Sequence, residues 1–494
     1  MNVDQDNRNL LSLMDHRVCG IVVFCLYGFF LFPAMPSVGD AADYGALIRQ
    51  GEFSIRTVHI GYYLFAYPFV MLGHTLGLST TLSLNLLSAT CMALAVAFSN
   101  LFYMSLGCHR SVCNLAALIF GTSGIIWYHA EFGELQALLV LQIVVSLYAF
   151  LKERPILSAG VYAFALLTSQ AAAPIGLCFL LFAYWKKSWQ LLVKFSVACS
   201  LMFAIGVAPI AGDYFFCPRG LFPSMGYYQT GPVSKMLLYF AYRLLENHTV
   251  WLAPLAVGVV SSLKEAKPIV VLTLVMWIPH AWVNLKLGHI EYGFAWMPLF
   301  LMTSLMASLG AHVIWRRFSR SMWVGLCSIG ALFALGALLT YFLYLAPKNN
   351  DAVEMTALIR ATADETKRGE VVASPYVGFV YVYETAPETA DVWKSNWITW
   401  PQASSGWETI MQSSRPVFLL VSKPHTHVFR RWLFGNAFVI SLIGSERSQQ
   451  FLMEGDSAVV EEAIQYFPSG FILNLVAEHG SARLYRVGKY NPSM

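Results

Sequence analysis

Between Arg17 and Pro347 the chain is a succession of apolar stretches of about 20 residues, each closed by a short break carrying charge, glycine or proline. Lipid offers backbone groups no partners, so stretches of this length are expected to fold as membrane helices. Roughly eleven spans follow: residues 19 to 36, 82 to 106, 113 to 128, 135 to 151, 157 to 170, 172 to 185, 191 to 210, 247 to 263, 268 to 284, 292 to 315 and 321 to 346. After Pro347 the apolar runs shorten and alternate with polar ones. Glu370 to Ser374, Val417 to Val421, Ala437 to Ile443, Phe471 to Val476 and Ala482 to Val487 read as strands. Helical periodicity returns over Ala352 to Thr366 and Val459 to Tyr466. The expected fold is therefore an α-helical polytopic membrane protein over residues 1–347, followed by a soluble α/β domain over 348–494.

Composition agrees. Of the 494 residues 57% are hydrophobic and 12% charged, about half the charged share of a soluble domain. The first apolar run, Cys19 to Pro36, follows Arg8 and Arg17 like a signal peptide, yet no A-x-A site ends it and further spans come after it, so it is read as retained. The nine cysteines lie almost entirely in apolar runs and are expected to be buried packing residues. The net charge of +4 says less than where the charges fall.

Lys and Arg favour the cytoplasmic ends of spans. The basic clusters are Arg8 with Arg17, His109-Arg110, Lys152 with Arg154, Lys186-Lys187, Lys264 with Lys267, and Arg316-Arg317 with Arg320. All six fall on one side only if the stretch from His59 to Leu78, interrupted by Gly61, Pro68, Gly73 and Gly77, does not cross. It is therefore expected to dip into the outer leaflet, packed on protein. The N-terminus is then cytoplasmic and the C-terminal domain extracytoplasmic. Residues 37–81, 130–134, 213–246 and 286–291 face the same way as that domain.

Acidic residues at the outward ends of spans are functional candidates, because charge at membrane depth is expensive. Two clusters qualify. Asp40 and Asp43, three apart just after the first span, share a face if the segment to Gln50 is helical. Trp127-Tyr128-His129-Ala130-Glu131-Phe132-Gly133-Glu134 returns to the same side. For both, a helix-capping acid is the alternative explanation. The chain carries no phosphate-cradling glycine loop, zinc-type Cys/His spacing or serine elbow, and no metal or cofactor is assigned.

The acidic motif after the first span, the amphipathic segment ending in Gly51, then His59 and an aromatic-rich stretch together resemble the type C glycosyltransferases. Asn85 to Ala89, with Trp127, Ala130 and Glu134, resemble the protein O-mannosyltransferase-like branch, whose pattern runs D-x-x-E, H-P-P-G-Y-P, N-L-L-S-A and W-x-x-A-x-x-x-E-V-Y. The chain departs from that pattern where Ile60-Gly61-Tyr62-Tyr63 follows His59, and where Leu135-Gln136 follows Glu134. The likeness is good over residues 15–190, general over the remaining spans, and absent from the tail.

The resemblance implies an inverting transferase that moves a sugar from a polyprenyl-phosphate donor to an acceptor hydroxyl, on protein or glycolipid, at the outer membrane face. A carboxylate must take the acceptor's proton. Asp40 is the implied base, with Asp43 and Glu134 orienting the acceptor or Asp40 itself. The leaving phosphate needs cations, for which Arg49, Arg56, Arg243, Lys286 and His289 are available. His59 and Glu291 complete the substrate-binding candidates; snorkelling and lipid-phosphate contact are the bland readings of the basic ones. Trp393, Trp397, Trp400 and Trp407 in the tail offer faces for sugar stacking or for an interfacial anchor. Asn247-His248-Thr249 fits a glycosylation sequon at a span boundary. The expected partners are donor lipid, acceptor and membrane, not nucleic acid, and a bacterial inner membrane is favoured over the endoplasmic reticulum. A lipid-glycan transporter, which would show mid-span polar residues such as Gln170 and repeat symmetry, and an inactive scaffold of the same fold are the rival readings.

Overall fold

The computed structural model describes residues 15–31, 59–131, 133–216, 233–286, 296–318 and 322–342, parts of 353–373, residues 397–399, 415–422, 471–480 and 482–489, and positions 45, 48, 346 and 410. They fall into two compact units. The first comprises Met1–Leu31, Gly51–Leu72 and Ser83–Thr340; the second comprises Phe32–Gln50, Gly73–Leu82 and Tyr341–Met494.

The first unit is helical. Its elements are α1 (His16–Phe29), α2 (Ile60–Thr75), α3 (Thr80–Ser105), α4 (Arg110–Thr122), α5 (Gly124–Ala130), α6 (Leu135–Leu151), α7 (Pro155–Thr168), α8 (Gly176–Lys186), α9 (Trp189–Val207), α10 (Ala211–Phe216), α11 (Val233–His248), α12 (Leu252–Glu265), α13 (Lys267–Lys286), α14 (Met297–Phe318) and α15 (Met322–Thr340). Among the described residues, Thr80–Ser105, Trp189–Phe216 and Met297–Arg317 are each long and apolar enough to cross a bilayer. Two bent pairs join them: Arg110–Thr122 with Gly124–Ala130, turned by 66°, and Phe240–Glu265 with Lys267–Val283, turned by 116°. Shorter apolar helices include α1, α6 and α7. Val193, Val197, Leu201 and Ile205 on α9 are all at least 60% exposed. At a spacing of four they form one stripe, the face that hydrocarbon would cover.

Several expected elements are altered in detail. The span drawn over 113–128 breaks at Ser123 into α4 and α5. A 3-10 turn, Gln170–Ile175, occupies the start of the segment drawn as 172–185, because Pro174 inside it cannot donate an α-helical bond. The stretch from His59 to Leu78 forms the 16-residue helix α2, with Pro68 inside it. Of the described cysteines, Cys19, Cys91, Cys113, Cys178 and Cys199 are buried and Cys108 is half-buried, whereas Cys25 and Cys327 are exposed, contrary to the expectation of burial. An exposed thiol on a lipid-facing helix loses nothing, since it is a weakly polar small hydrophobe.

Some of the basic clusters lie near one another. Lys186 donates to Glu153 at 2.8 Å and to the Leu151 carbonyl at 2.6 Å, joining the ends of α6 and α8. Arg17 and Arg110 both act on Asp15 at the start of α1.

The core is packed at the backbone where α12 crosses α14. A Cβ on Gly258 would lie 1.8 Å from the Met306 carbonyl oxygen, and one on Gly310 1.8 Å from that of Pro254. Small residues allow this approach, which membrane helices use in place of a hydrophobic drive. Tyr103 on α3 and Ser308 on α14 add bonds, to the Leu301 carbonyl (2.5 Å) and the Val112 carbonyl (2.8 Å).

The second unit holds a five-stranded sheet, order β2-β1-β3-β5-β4, of β1 (Glu370–Ala373), β2 (Trp397–Thr399), β3 (Val417–Ser422), β4 (Phe471–His479) and β5 (Ala482–Lys489). β1 runs parallel to β2 and β3; β5 runs antiparallel to β3 and β4. Val417 to Leu420 are buried without alternation, as in a central strand covered on both faces. On the edge strand β4, Ile472 and Leu475 are exposed. Trp397 lies in β2 opposite Val371. The strand expected at 437–443, the helix expected at 459–466, and Trp393, Trp400 and Trp407 lie outside the described residues.

Candidate functional site

Of the candidate residues, Asp40, Asp43, Arg49, Arg56, His289 and Glu291 lie outside the described residues. Glu134, His59 and Arg243 are described, and each sits in a specific polar setting.

Glu134 opens α6, where a capping role was the alternative. Its side chain makes no capping bond. Instead Oε2 lies 3.5 Å from His129 Nδ1, with both side chains largely buried, at 14% and 6% exposure. His129 packs edge-on against Tyr128, ring centroids 4.9 Å apart. The turn that carries this pair is clamped from two helices. Tyr62 on α2 donates to the Gly133 carbonyl at 2.8 Å. Leu84 on α3 lies so close that a Cβ on Gly133 would meet its Cβ at 2.6 Å, and Ser88 donates to the Glu134 carbonyl at 3.4 Å. The Asn85 to Ala89 segment thus abuts the turn it accompanies in the sequence pattern.

Glu131 was not a candidate, although its spacing from Trp127 places the two on one helical face. Trp127 Nε1 donates to Glu131 Oε1 at 2.5 Å, and Glu131 is 3% exposed. Burial pushes its carboxyl up to about 9, against the opposing pull of the Trp127 bond. At neutral pH the residue is a neutral acid. Trp127 is itself enclosed, with Tyr27 and Phe30 of the first helix at ring separations of 6.2 and 5.6 Å.

Arg243, proposed from sequence to meet phosphate, stands near the end of α11 and is engaged within its own helix. Nη1 donates to Glu246 Oε2 at 2.5 Å, and the guanidinium lies 5.0 Å from the Tyr242 ring centroid. Tyr242 donates to the other Glu246 oxygen at 2.8 Å. Glu246, missed in the sequence, is fully covered and balances the charge. The sequon asparagine is consumed too. Asn247 is 6% exposed, accepts from the Ile125 N–H at 2.7 Å and donates to the Arg243 carbonyl at 2.8 Å. A buried amide so engaged is a structural group, not a glycan acceptor.

His59 precedes α2. Its Nδ1 lies 2.9 Å from the Thr168 carbonyl at the end of α7, so that nitrogen carries the proton. A carbonyl partner satisfies this ring nitrogen without any ligand. Chemically, the described site is an acidic turn lined by aromatic rings that holds the His129–Glu134 pair and one neutral acid, Glu131.

No family model and no curated protein matches the sequence. Solved structures do match. ArnT from Cupriavidus metallidurans bound to undecaprenyl phosphate gives a TM-score of 0.56 at 12% identity, covering 95% of this chain and 97% of that one. The apo oligosaccharyltransferase from Archaeoglobus fulgidus gives 0.53 at 11% identity, over 97% of this chain and 75% of that one. The arabinofuranosyltransferase AftD from Mycobacteria gives 0.51 at 12% identity, over 97% of this chain and 40% of that one. At such identities the likeness is one of fold. The chain shares its fold with these solved structures, and its apolar helices make it an integral, multi-pass membrane protein.

Proposed function

We propose that this chain is a membrane glycosyltransferase that moves a sugar from a polyprenyl-phosphate donor to an acceptor hydroxyl, on protein or glycolipid, at the outer membrane face. The observation that carries the reading is the Glu134 turn: a carboxylate freed from capping, set against His129 and clamped by Tyr62 and α3, on a fold shared end to end with a protein solved with undecaprenyl phosphate bound.

In this reading Asp40 takes the acceptor proton, Asp43 and Glu134 orient the acceptor or Asp40, and the sugar transfers with inversion as a hexose. Arg49, Arg56, His59, His289 and Glu291 serve the donor and its phosphate. Arg243 is a weaker phosphate ligand than its charge alone suggests, because Glu246 already neutralises it. The membrane domain ends near residue 347, the N-terminus is cytoplasmic, and the tail from 348 is an extracytoplasmic α/β domain, periplasmic in a bacterial inner membrane. The O-mannosyltransferase-like branch follows from Asn85 to Ala89 and from Trp127, Ala130 and Glu134.

Purified protein supplied with radiolabelled polyprenyl-phosphate sugars tests the reading. Transfer by the wild type and a loss of about a hundredfold or more in Asp40→Asn are expected, since a positioned base contributes at least that much. Glu134→Gln is expected to lose activity as well. Full transfer by Asp40→Asn removes Asp40 as base. Movement of a lipid-linked glycan without transfer makes the protein a transporter.

A further inference from the structure

The break between α4 and α5 leaves backbone groups that a continuous helix would pair with one another. In a continuous helix the Ile125 N–H would bond the Gly121 carbonyl, four residues earlier, and the Ile126 N–H the Thr122 carbonyl. Here three side chains from three other helices stand in. Ile125 N–H donates to Asn247 Oδ1 of α11 at 2.7 Å. The Gly121 carbonyl accepts from Tyr27 Oη of α1 at 2.5 Å. The Thr122 carbonyl accepts from Thr340 Oγ1 of α15 at 3.3 Å. All three side chains are buried: Tyr27 at 0%, Asn247 at 6% and Thr340 at 7% exposure. Ser123 adds its own bond to the Phe120 carbonyl at 2.8 Å.

A sharp bend in a buried helix leaves unsatisfied polar groups, each costly, unless such partners exist. Three of the groups released at the bend are therefore satisfied by helices remote in sequence. What the bend aims is α5, only seven residues long, which bears Trp127 and His129 and leads directly into Glu131 and Glu134. The same partners tie the bend to its surroundings: Tyr27 also packs on Trp127, and Asn247 adjoins the Arg243–Glu246 pair.

We propose that Tyr27, Asn247 and Thr340 are positioning residues which, by replacing the helix bonds lost at Gly121–Ile125, fix the angle of α5 and so the placement of the His129–Glu134 pair. The positional part stands without any assigned reaction; its effect on turnover rests on the transferase reading above.

Asn247→Asp, carrying a proton in this buried site, keeps an acceptor for the Ile125 N–H and a donor for the Arg243 carbonyl. Asn247→Leu removes both. Tyr27→Phe keeps the ring against Trp127 and removes the hydroxyl. Hydrogen–deuterium exchange of peptides covering 124–134 is read for each variant in detergent, on monodisperse protein. Loss of one buried bond is expected to raise exchange there about tenfold in Asn247→Leu and Tyr27→Phe, with Asn247→Asp near the wild type. In the transfer assay, Asn247→Leu is expected to lower kcat about tenfold with donor KM little changed, as for a misplaced group acting only in the transition state, and Asn247→Asp to restore it. A purely structural role would lower the yield of folded protein and leave kcat per folded molecule intact. Unaltered exchange at 124–134 in both Asn247→Leu and Tyr27→Phe overturns the proposal, whether or not the protein transfers sugar. Altered exchange with unaltered kcat overturns its link to the acidic pair.

Discussion

Glu131 and Glu134 sit three residues apart in one turn and are used in opposite ways. Glu134 retains partial exposure and faces His129, while Glu131 is sealed beneath Trp127. For Glu131 the consequence for stability has a definite sign. Its folded carboxyl titrates near 9, above the ordinary carboxylate range, so the folded protein binds a proton that the unfolded chain has released. Its contribution is fully present below the ordinary carboxylate range and is lost as pH rises toward about 9, on the order of 1 kcal/mol per pH unit at most. Glu131→Gln keeps an acceptor for Trp127 and has no proton to lose. Thermal unfolding in detergent between pH 6 and pH 9, taken as about the window of that titration, is expected to show a shallower pH dependence in Glu131→Gln and a higher midpoint at the alkaline end. A dependence no shallower than that of the wild type would mean that Glu131 is ionised when folded.

At the scale of elements, the fold depends on places where helices touch through their backbones. The α12–α14 crossing leaves no room for a side chain at Gly258 or Gly310. Gly310→Ala is expected to destabilise the protein by about 2 kcal/mol, the usual effect of forcing a methyl into a filled core; a thermal midpoint equal to the wild type would show that the helices separate without penalty. Neither glycine is distinguishable in the sequence from those that face open space, such as Gly28 or Gly330. The bend at Ser123 is equally silent. Residues 113 to 128 read as one uninterrupted span, and Asn247, which satisfies the bend, reads as a sequon 122 positions away.

For the whole molecule, the arrangement of the basic clusters is the feature with a testable consequence. One contact already ties two clusters together, Lys186 with the Lys152–Arg154 turn, and Arg17 and Arg110 both lie close enough to Asp15 to lower its pKa. If all six clusters are cytoplasmic, single cysteines replacing Arg110 and Arg317 in an otherwise cysteine-free protein are expected to react with an impermeant maleimide only after the membrane is opened. Labelling of either from the outside would reverse the topology. It would also separate Asp40 from the face at which Glu134 is placed.

Hydropathy and charge placement determine the class of this protein. Apolar runs of span length in lipid have one backbone solution, and the strands at 370–373, 417–422, 471–479 and 482–489 fall where alternation and β-branched residues put them. The sequence also marked the Trp127 to Glu134 segment, because Trp, His and Glu packed into one turn between apolar helices have few neutral explanations. Local pattern could not assign the individual roles. Whether Asn247 is an acceptor site or a helix partner depends on Ile125, 122 positions away, whereas whether Glu134 caps a helix or faces His129, and whether Arg243 is available to a phosphate or held by Glu246, depend on how side chains close in sequence are turned toward one another. Only the packing of α1, α2, α3, α11 and α15 around the bent pair α4–α5 decided those questions, because a buried polar group takes its meaning from the partner that tertiary structure brings to it.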